Sequence, residues 1–449
     1  MNDNILEIEN LNVRFSTFDG TFSAVNNVSL NLGYNESIGI IGESGCGKST
    51  LSFTVMRYLA SNAEVDGSIR FKGEDLLAKS EKEMEIYRGN RIAMVFQNPY
   101  SSLNPSLTIG FQLDEVGMHH QKLNKSKARK ATLEALELMN LGDPKGIVKR
   151  YPHQVSGGIQ QRICIAMALL CKPDLMILDE PTTALDVTTE AVILDSIAEL
   201  RDRLKMSMMY ISHDIGVINK VADNIVVMYS GEIVESGPKQ QIFENPVHPY
   251  TRALINCMPR GGVVKEKTKL NTIPGYVRKR GANEGGCPFA DRCDKRNDTC
   301  ISEYGTKKIG ENHFAACDRA YAEDVPDKLK ARLTPTKRKD DPDFDSERDL
   351  LKIEDLHKIY GTRRKVYAVN GVDFTLKPHS ILGIVGESGC GKSTTGHMVS
   401  GLFKPSKGRI LYEDTDISIA WNKRTKETLK DIQLIFQNPG RSLNPDRKS

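Results

Sequence analysis

GIIGESGCGKST, residues 39–50, decides the fold. Gly42, Glu43, Ser44, Gly45, Cys46, Gly47, Lys48 and Ser49 fit the spacing glycine, four variable residues, glycine, lysine, serine or threonine, and Thr50 follows. An apolar run ends at its front edge and the helical pattern STLSFTVMRYL begins at its back edge. That is the context a phosphate-binding loop requires. The glycines let the backbone turn tightly, so that its N–H groups point inward at an anion. The start of the following helix adds a favourable field for negative charge. Lys48 is then placed to reach terminal phosphates, and the Ser49 hydroxyl to ligate Mg²⁺.

Working outward, the same stretch returns as GIVGESGCGKST at 383–394, with Gly386, Gly389, Gly391, Lys392, Ser393 and Thr394 in the corresponding places. AVNNVSLNL (24–32) returns as AVNGVDFTL (368–376). FQNP (96–99) returns at 436–439, with Gln437 matching Gln97, and SLNP (102–105) returns at 442–445. A domain-sized unit is duplicated, at a spacing far too wide for a solenoid. The first copy runs to about residue 258. The second holds only its opening third, and its tail PDRKS, where the first copy has PSLTIG, reads as an arbitrary stop. Between the copies, residues 259–320 carry a cysteine cluster. Residues 321–349 are dense in charge and proline and read as a solvated linker.

Composition excludes several classes. With 449 residues the chain is long enough for two or three domains. Its net charge of +4 gives no dense basic surface for nucleic acid, so no nucleic-acid partner is expected. MNDNILEIEN opens acidic and without an apolar core, which reads as no secretory leader. No run approaches the roughly 20 apolar residues of a membrane span, so any membrane role must come through a partner. Structural disulfides are not expected in such a chain.

Within the first copy, IRFKG, SIGIIG, RIAMVF, DLMILDE, SMMYIS and NIVVMY read as strands. ARKATLEALELM, GIQQRICIAMALL and TEAVILDSIAELRDRL read as helices. Short all-apolar strands separated by helices predict a mostly parallel sheet covered on both faces. LMILDE (175–180) is such a strand ending in two carboxylates. Asp179 is expected in the magnesium shell, and Glu180 is expected to orient and polarise an attacking water. His213 follows another apolar strand, within reach of a terminal phosphate. Gln97 is placed to touch both metal and water. VSGGIQQR (155–162) puts Ser156, Gly157 and Gly158 before a helix, a second anion-binding N-terminus. Since the chain already has its phosphate loop, this second site points to the nucleotide of another subunit.

This ordered set resembles an ATP-binding cassette (ABC) ATPase across residues 1–258: phosphate loop, Gln97, the Ser-Gly-Gly signature, LMILDE, Ala184–Leu185–Asp186, then His213. The resemblance implies an α/β P-loop NTPase fold with a RecA-like core, an antiparallel β subdomain and a helical subdomain between Gln97 and Ser156. It implies ATP and Mg²⁺ as ligands, and a head-to-tail dimer with ATP between one half's phosphate loop and the other half's signature. Phe15 and Tyr360 match the aromatic that stacks on adenine. One departure is that the usual LSGGQ reads VSGGI, with Ile159 in place of the glutamine.

FENPVHPYTRALINCMP (243–259), QNPYSSLNP and the Cys46 of GESGCGKST are similar to the ATPases of oligopeptide, dipeptide and nickel importers. In that family two ATPases sit beneath two integral-membrane permease subunits at the cytoplasmic face of a bacterial membrane, and an extracytoplasmic solute-binding protein delivers the cargo. The order of the halves resembles two such subunits fused in tandem. Cys287, Cys293, Cys300 and Cys317 form a candidate metal set. Their spacing lacks the CxxC pairs of zinc ribbons, and the resemblance implies a 4Fe–4S cluster; zinc and reduced thiols stay open. The second copy is expected to keep its antiparallel and phosphate-loop strands but too little sheet for an independent ATPase. Peptide import is the leading reading. Nickel or glutathione import, a soluble tandem ABC protein acting on ribosomes or DNA, and a non-catalytic remnant are the alternatives.

Overall fold

A computed structural model of the chain describes residues 3–18, 20–183, 185–258, 272–278, 280–281, 285–302, 304–317, 348–361, 365–387 and 389–436. Gln437 and Ala184 therefore lie outside the described residues. The chain divides into two units, 1–336 and 337–449.

The strands of the first unit are β1 (Asn4–Thr17), β2 (Gly20–Gly33), β3 (Ser37–Ile41), β4 (Ala63–Phe71), β5 (Glu74–Asp75), β6 (Ile92–Val95), β7 (Leu175–Asp179), β8 (Ser207–Ile211), β9 (Asn224–Tyr229), β10 (Glu232–Pro238), β11 (Arg280–Gly281), β12 (Lys307–Gly310) and β13 (His313–Ala315). They build two sheets. One is antiparallel, in the order β11-β2-β1-β4-β5. The other runs β12-β13-β10-β9-β3-β8-β7-β6. Within the second, β9, β3, β8, β7 and β6 are parallel, and all five residues of β3, β7 and β8 are buried. These are the continuous apolar runs predicted from the sequence. A strand covered by layers on both faces has no polar face to alternate with.

Helices surround that sheet: α1 (Lys48–Val55), α2 (Glu81–Tyr87), α3 (Pro99–Ser102), α4 (Ile109–His120), α5 (Lys125–Leu138), α6 (Pro144–Ile147), α7 (Gly157–Leu169), α8 (Val187–Leu204), α9 (Ile215–Val221), α10 (Lys239–Glu244) and α11 (Pro249–Asn256). Helices α3 to α6 fill the interval between Gln97 and Ser156. Each starts on a capping side chain: Asn98, Thr108, Asn124 and Asp143 accept from backbone N–H groups of the first turn. Each such cap is worth about 1 kcal/mol. Helices α4 and α5 are joined by a buried carboxylate, Asp114, which accepts from Arg129 and from the Thr132 hydroxyl. Among the described residues no helix is long and apolar enough to cross a membrane.

Residues from the 259–320 segment are hydrogen-bonded into both sheets. β11 pairs with β2, and β13 pairs with β10. Glu235 on β10, fully buried, makes the joint. Its carboxylate accepts from the backbone N–H groups of Val247 and His248 ahead of α11, and lies 2.8 Å from His313 Nε2 on β13. His248 caps α11 through Nδ1, which accepts from the Tyr250 N–H, so the neutral ring carries its proton on Nε2.

Burial holds His248 far below its usual value, at about 3. The unfolded chain takes up this proton near pH 6.5 and the folded chain does not. Stability is therefore lost as pH falls through the window between about 6.5 and about 3, at about 1.4 kcal/mol per pH unit. Between pH 7 and pH 5 the loss from this group should reach about 2 kcal/mol. His248→Asn keeps a capping acceptor and removes the titration. Chemical denaturation across that pH range should give a flatter acid branch for the variant. Identical slopes would refute this account.

In the second unit the antiparallel strands Leu351–Tyr360, Val366–Leu376, Lys407–Tyr412 and Thr415–Asp416 form a four-stranded sheet. The phosphate-loop strand expected here does not form. Residues 380–385 carry no strand, and Ile381 and Val385 are 87% and 90% exposed. Their counterparts in β3 lie between β8 and β9. Among the described residues no strand flanks this run, so its backbone groups have no ladder to join.

Candidate functional site

The phosphate loop leaves β3 and enters α1, as its spacing predicts. Gly42, Gly45 and Gly47 adopt φ values of 155°, 81° and 100°. A side chain at Gly47 would bring a Cβ within 2.3 Å of the Ala24 carbonyl oxygen, and one at Gly42 within 2.2 Å of the Met228 carbonyl oxygen. Both positions admit only glycine, for reasons of dihedral and of space. Lys48, 5% exposed, donates to the carbonyls of Gly42 and Glu43 at 2.8 and 3.1 Å. Its ammonium group thus lies within the loop curve.

The loop forms the floor of a cleft of about 540 Å³. Ser44, Gly45, Gly47, Lys48, Ser49 and Thr50 line it, and Gln97 and Glu180 enter from the far wall. Phe15 closes one side together with Phe22, their rings stacked at 5.6 Å and 22°. This gives a flat aromatic face beside the loop, suited to a nucleobase. The sequence singled out Phe15 and missed Phe22. Position 22 sits across from 15 in the β1–β2 register, which pattern alone does not reveal.

Two carboxylates follow from the end of β7. Asp179, 3% exposed, accepts from the Ser49 hydroxyl at 3.1 Å. Burial pushes its carboxyl up, against the opposing Ser49 bond. A buried carboxylate beside a hydroxyl is a hard oxygen pair, and it fits Mg²⁺. Glu180 takes φ of 46°, a left-handed value that costs a non-glycine residue of order 1–3 kcal/mol. The turn carries its side chain off the strand line to meet three donors. Gln97 Nε2 donates to Oε2 at 2.7 Å, Thr183 Oγ1 donates to the same oxygen at 3.0 Å, and His213 Nδ1 lies 3.2 Å from Oε1. Lys48, Ser49, Gln97, Asp179, Glu180 and His213 are thus brought together. Thr183 was not expected from the sequence.

Other expected residues lie elsewhere. Ser156, Gly157 and Gly158 open α7, and none lines the cleft. Ser156 makes no side-chain cap bond. Asp186 caps its own helix α8, accepting from the Thr189 N–H and from the hydroxyls of Thr188 and Thr189. In the second unit, Gly386, Gly389 and Gly391 keep the positive φ values of the first loop, and Lys392 donates to the carbonyls of Gly386 and Glu387. Ser393 and Thr394 begin the helix Lys392–Val399. Tyr360 stands half-exposed, edge-on to Phe403 at 6.3 Å.

The cysteine cluster does not support a metal centre. Cys287, Cys293, Cys300 and Cys317 lie in the first unit. Yet among the described residues no group of three or more His, Cys, Asp or Glu side chains comes together as a metal site. Burial pushes Cys287 up to about 12 and raises Cys293, with the neighbouring thiols adding to the effect. The residues as placed do not fit the expected 4Fe–4S cluster.

A glycine-rich loop with its lysine, a strand ending in paired carboxylates, and a glutamine and histidine converging on the second carboxylate define a nucleotide-hydrolysing P-loop domain. The ABC transporter family model matches residues 25–183 and 369–448, and the chain belongs to that family of ATP-hydrolysing cassettes. The model for the oligopeptide/dipeptide transporter C-terminal region matches residues 234–300. The oligopeptide transport ATP-binding protein OppD of Mycobacterium tuberculosis is 37% identical over 98% of this chain and 74% of its own length. The dipeptide transport ATP-binding protein DppD of Bacillus subtilis is 44% identical over 70% of this chain and 94% of its own. OppD of Salmonella typhimurium is 39% identical over 70% and 93%.

Proposed function

We propose that the chain is the ATP-hydrolysing subunit of an importer of oligopeptides or dipeptides, working against membrane permeases. The observation that carries it is the Glu180 carboxylate, held by Gln97, Thr183 and His213 in the wall of a cleft whose floor is the Lys48 loop. The peptide cargo rests on the C-terminal region at 234–300 and on relatives named for peptide transport.

Phe15 and Phe22 would take the base, and the loop N–H groups and Lys48 the phosphates. Ser49, Asp179 and Gln97 would hold Mg²⁺, which supplies charge neutralisation on the transferred phosphoryl group. Glu180 orients water and polarises its O–H bond, while Gln97 and His213 keep that carboxylate aimed. Ser156, Gly157 and Gly158 lie outside this chain's own cleft, which supports their service to the nucleotide of a second subunit in a head-to-tail pair. Asp186 would act on the same interface through α8. Helices α3 to α6 would meet the permease, at the cytoplasmic face of the cell membrane, with a solute-binding protein outside. We divide the chain into an ATPase (1–258), an extension (259–320), a linker (321–349) and a partial second cassette (350–449), whose Lys392 loop would be a second nucleotide site.

ATP hydrolysis measured against protein concentration tests the pairing. Specific activity should rise steeply with concentration, or on adding a complete second ATPase. A monomer turning over at full rate at every concentration would overturn it.

A further inference from the structure

Glu43 occupies a position that the phosphate-loop pattern leaves open, yet it is gripped at both ends. Its N–H donates to Tyr250 Oη at 2.9 Å. Its carboxylate takes two donors from Arg292, Nη1 to Oε2 at 2.6 Å and Nη2 to Oε1 at 3.1 Å. The Arg292 side chain is only 6% exposed. Its remaining donors are all engaged as well. Nε donates to the Pro274 carbonyl at 2.7 Å, Nη1 also to Tyr229 Oη at 3.2 Å, and Nη2 also to the Ile273 carbonyl at 3.2 Å. The guanidinium stands over the rings of Tyr229 and Phe289 at 5.7 and 5.9 Å. A planar fork with five fixed donors suits this role, and a lysine ammonium cannot reproduce it.

The five bonds join three parts of the chain: the loop at Glu43, the end of β9 at Tyr229, and the segment at Ile273–Pro274. That segment continues to Val277 and Arg278, which line the same cleft, and the Arg278 carbonyl accepts from the Ser230 hydroxyl at 2.7 Å. Arg292 itself is delivered by the turn between Cys287 and Cys293, where the Ala290 N–H donates to the Cys287 carbonyl and the Arg292 N–H to the Phe289 carbonyl.

We propose that Arg292 is a positioning residue for nucleotide binding: through Glu43 it holds the phosphate loop, and through Ile273 and Pro274 it holds the segment whose Val277 and Arg278 line the same cleft. A loop with three glycines at positive φ has many conformations open to it. Holding one of them in advance lowers the ordering cost of binding, and the benefit shows in affinity. The inference rests on the reading of the cleft as the ATP site.

The test uses the full chain with Arg292→Lys, Glu43→Gln, the double variant and Lys48→Ala, each checked for folding by circular dichroism. Arg292→Lys should raise the KM for ATP and the Kd for ATP about 5–30-fold, with kcat at saturation changed less than about 2-fold. Glu43→Gln should do the same from the loop side, where the side chain is 28% exposed and folding is safer. The double variant should be no worse than either single one, because both break one contact. Unchanged KM and Kd in folded variants, or additive effects, would overturn the proposal. If Lys48→Ala keeps its ATP affinity, the reading of the cleft fails instead.

Discussion

Glu180→Gln should lower ATP turnover by about 10²–10⁴-fold while leaving ATP affinity within about 3-fold. The exchange is nearly isosteric, so the packing around Gln97, Thr183 and His213 survives it. What is lost is the negative charge and the second acceptor oxygen. A neutral amide cannot draw a proton from water, so the step that needs a base stalls. Binding depends on other groups: the loop N–H groups, Lys48, Ser49 and the two phenylalanines. The Glu180 backbone, whose N–H donates to the Ile211 carbonyl, holds the strained φ of 46° whichever side chain it carries. Phosphate release gives the turnover and equilibrium dialysis of ATP gives the affinity. A variant retaining a third or more of the parent rate would remove Glu180 from the chemistry. A variant that lost affinity in parallel would make Glu180 a binding residue.

The first loop was legible because its physics is local. Glycines at 42, 45 and 47 permit the positive φ values of the turn, and the apolar strand before and the helix after mark its two ends. The second loop shows the limit of such reading. Its glycines repeat the same dihedrals, yet the run ahead of it, ILGIV at 381–385 and as apolar as the SIGII of β3, is exposed and forms no strand. A buried strand depends on its neighbours, and those are supplied by distant residues. The same holds for Arg292 and Glu43, separated by 249 positions. No periodicity or spacing links them, and each alone reads as an ordinary charged residue. The His-Pro-Tyr stretch at 248–250 reads in the sequence as a family mark, and its physical work, the Tyr250 hydroxyl accepting from the Glu43 N–H of the loop, depends on residues 207 positions apart. The cysteines reverse the lesson. Four in a short segment suggest a metal, yet among the described residues they do not come together as a metal site.

Glu235→Ala should cost the first unit roughly 3–5 kcal/mol, the loss typical of breaking a buried charged network. The carboxylate is fully buried, and three donors depend on it: the N–H groups of Val247 and His248 and the His313 ring. Alanine leaves all three in the interior without that acceptor, and each stranded donor is costly on its own. Glu235→Gln keeps one acceptor oxygen and should lose less. An exposed pair such as Lys130–Glu134 gives the contrast: removing it should change stability by under about 0.5 kcal/mol. Denaturant unfolding of the full chain, followed by circular dichroism, measures all three. The effect should also reach the cleft. Glu235 anchors the start of α11, α11 carries Tyr250, and the Tyr250 hydroxyl holds the Glu43 N–H. Weaker ATP affinity should therefore accompany the stability loss in Glu235→Gln even at temperatures where the variant is fully folded. Stability lost with affinity intact would mean that the joint at β10 staples the sheet without setting the affinity of the loop. Affinity lost in proportion would mean that the joint at β10 and the phosphate site form one mechanical unit.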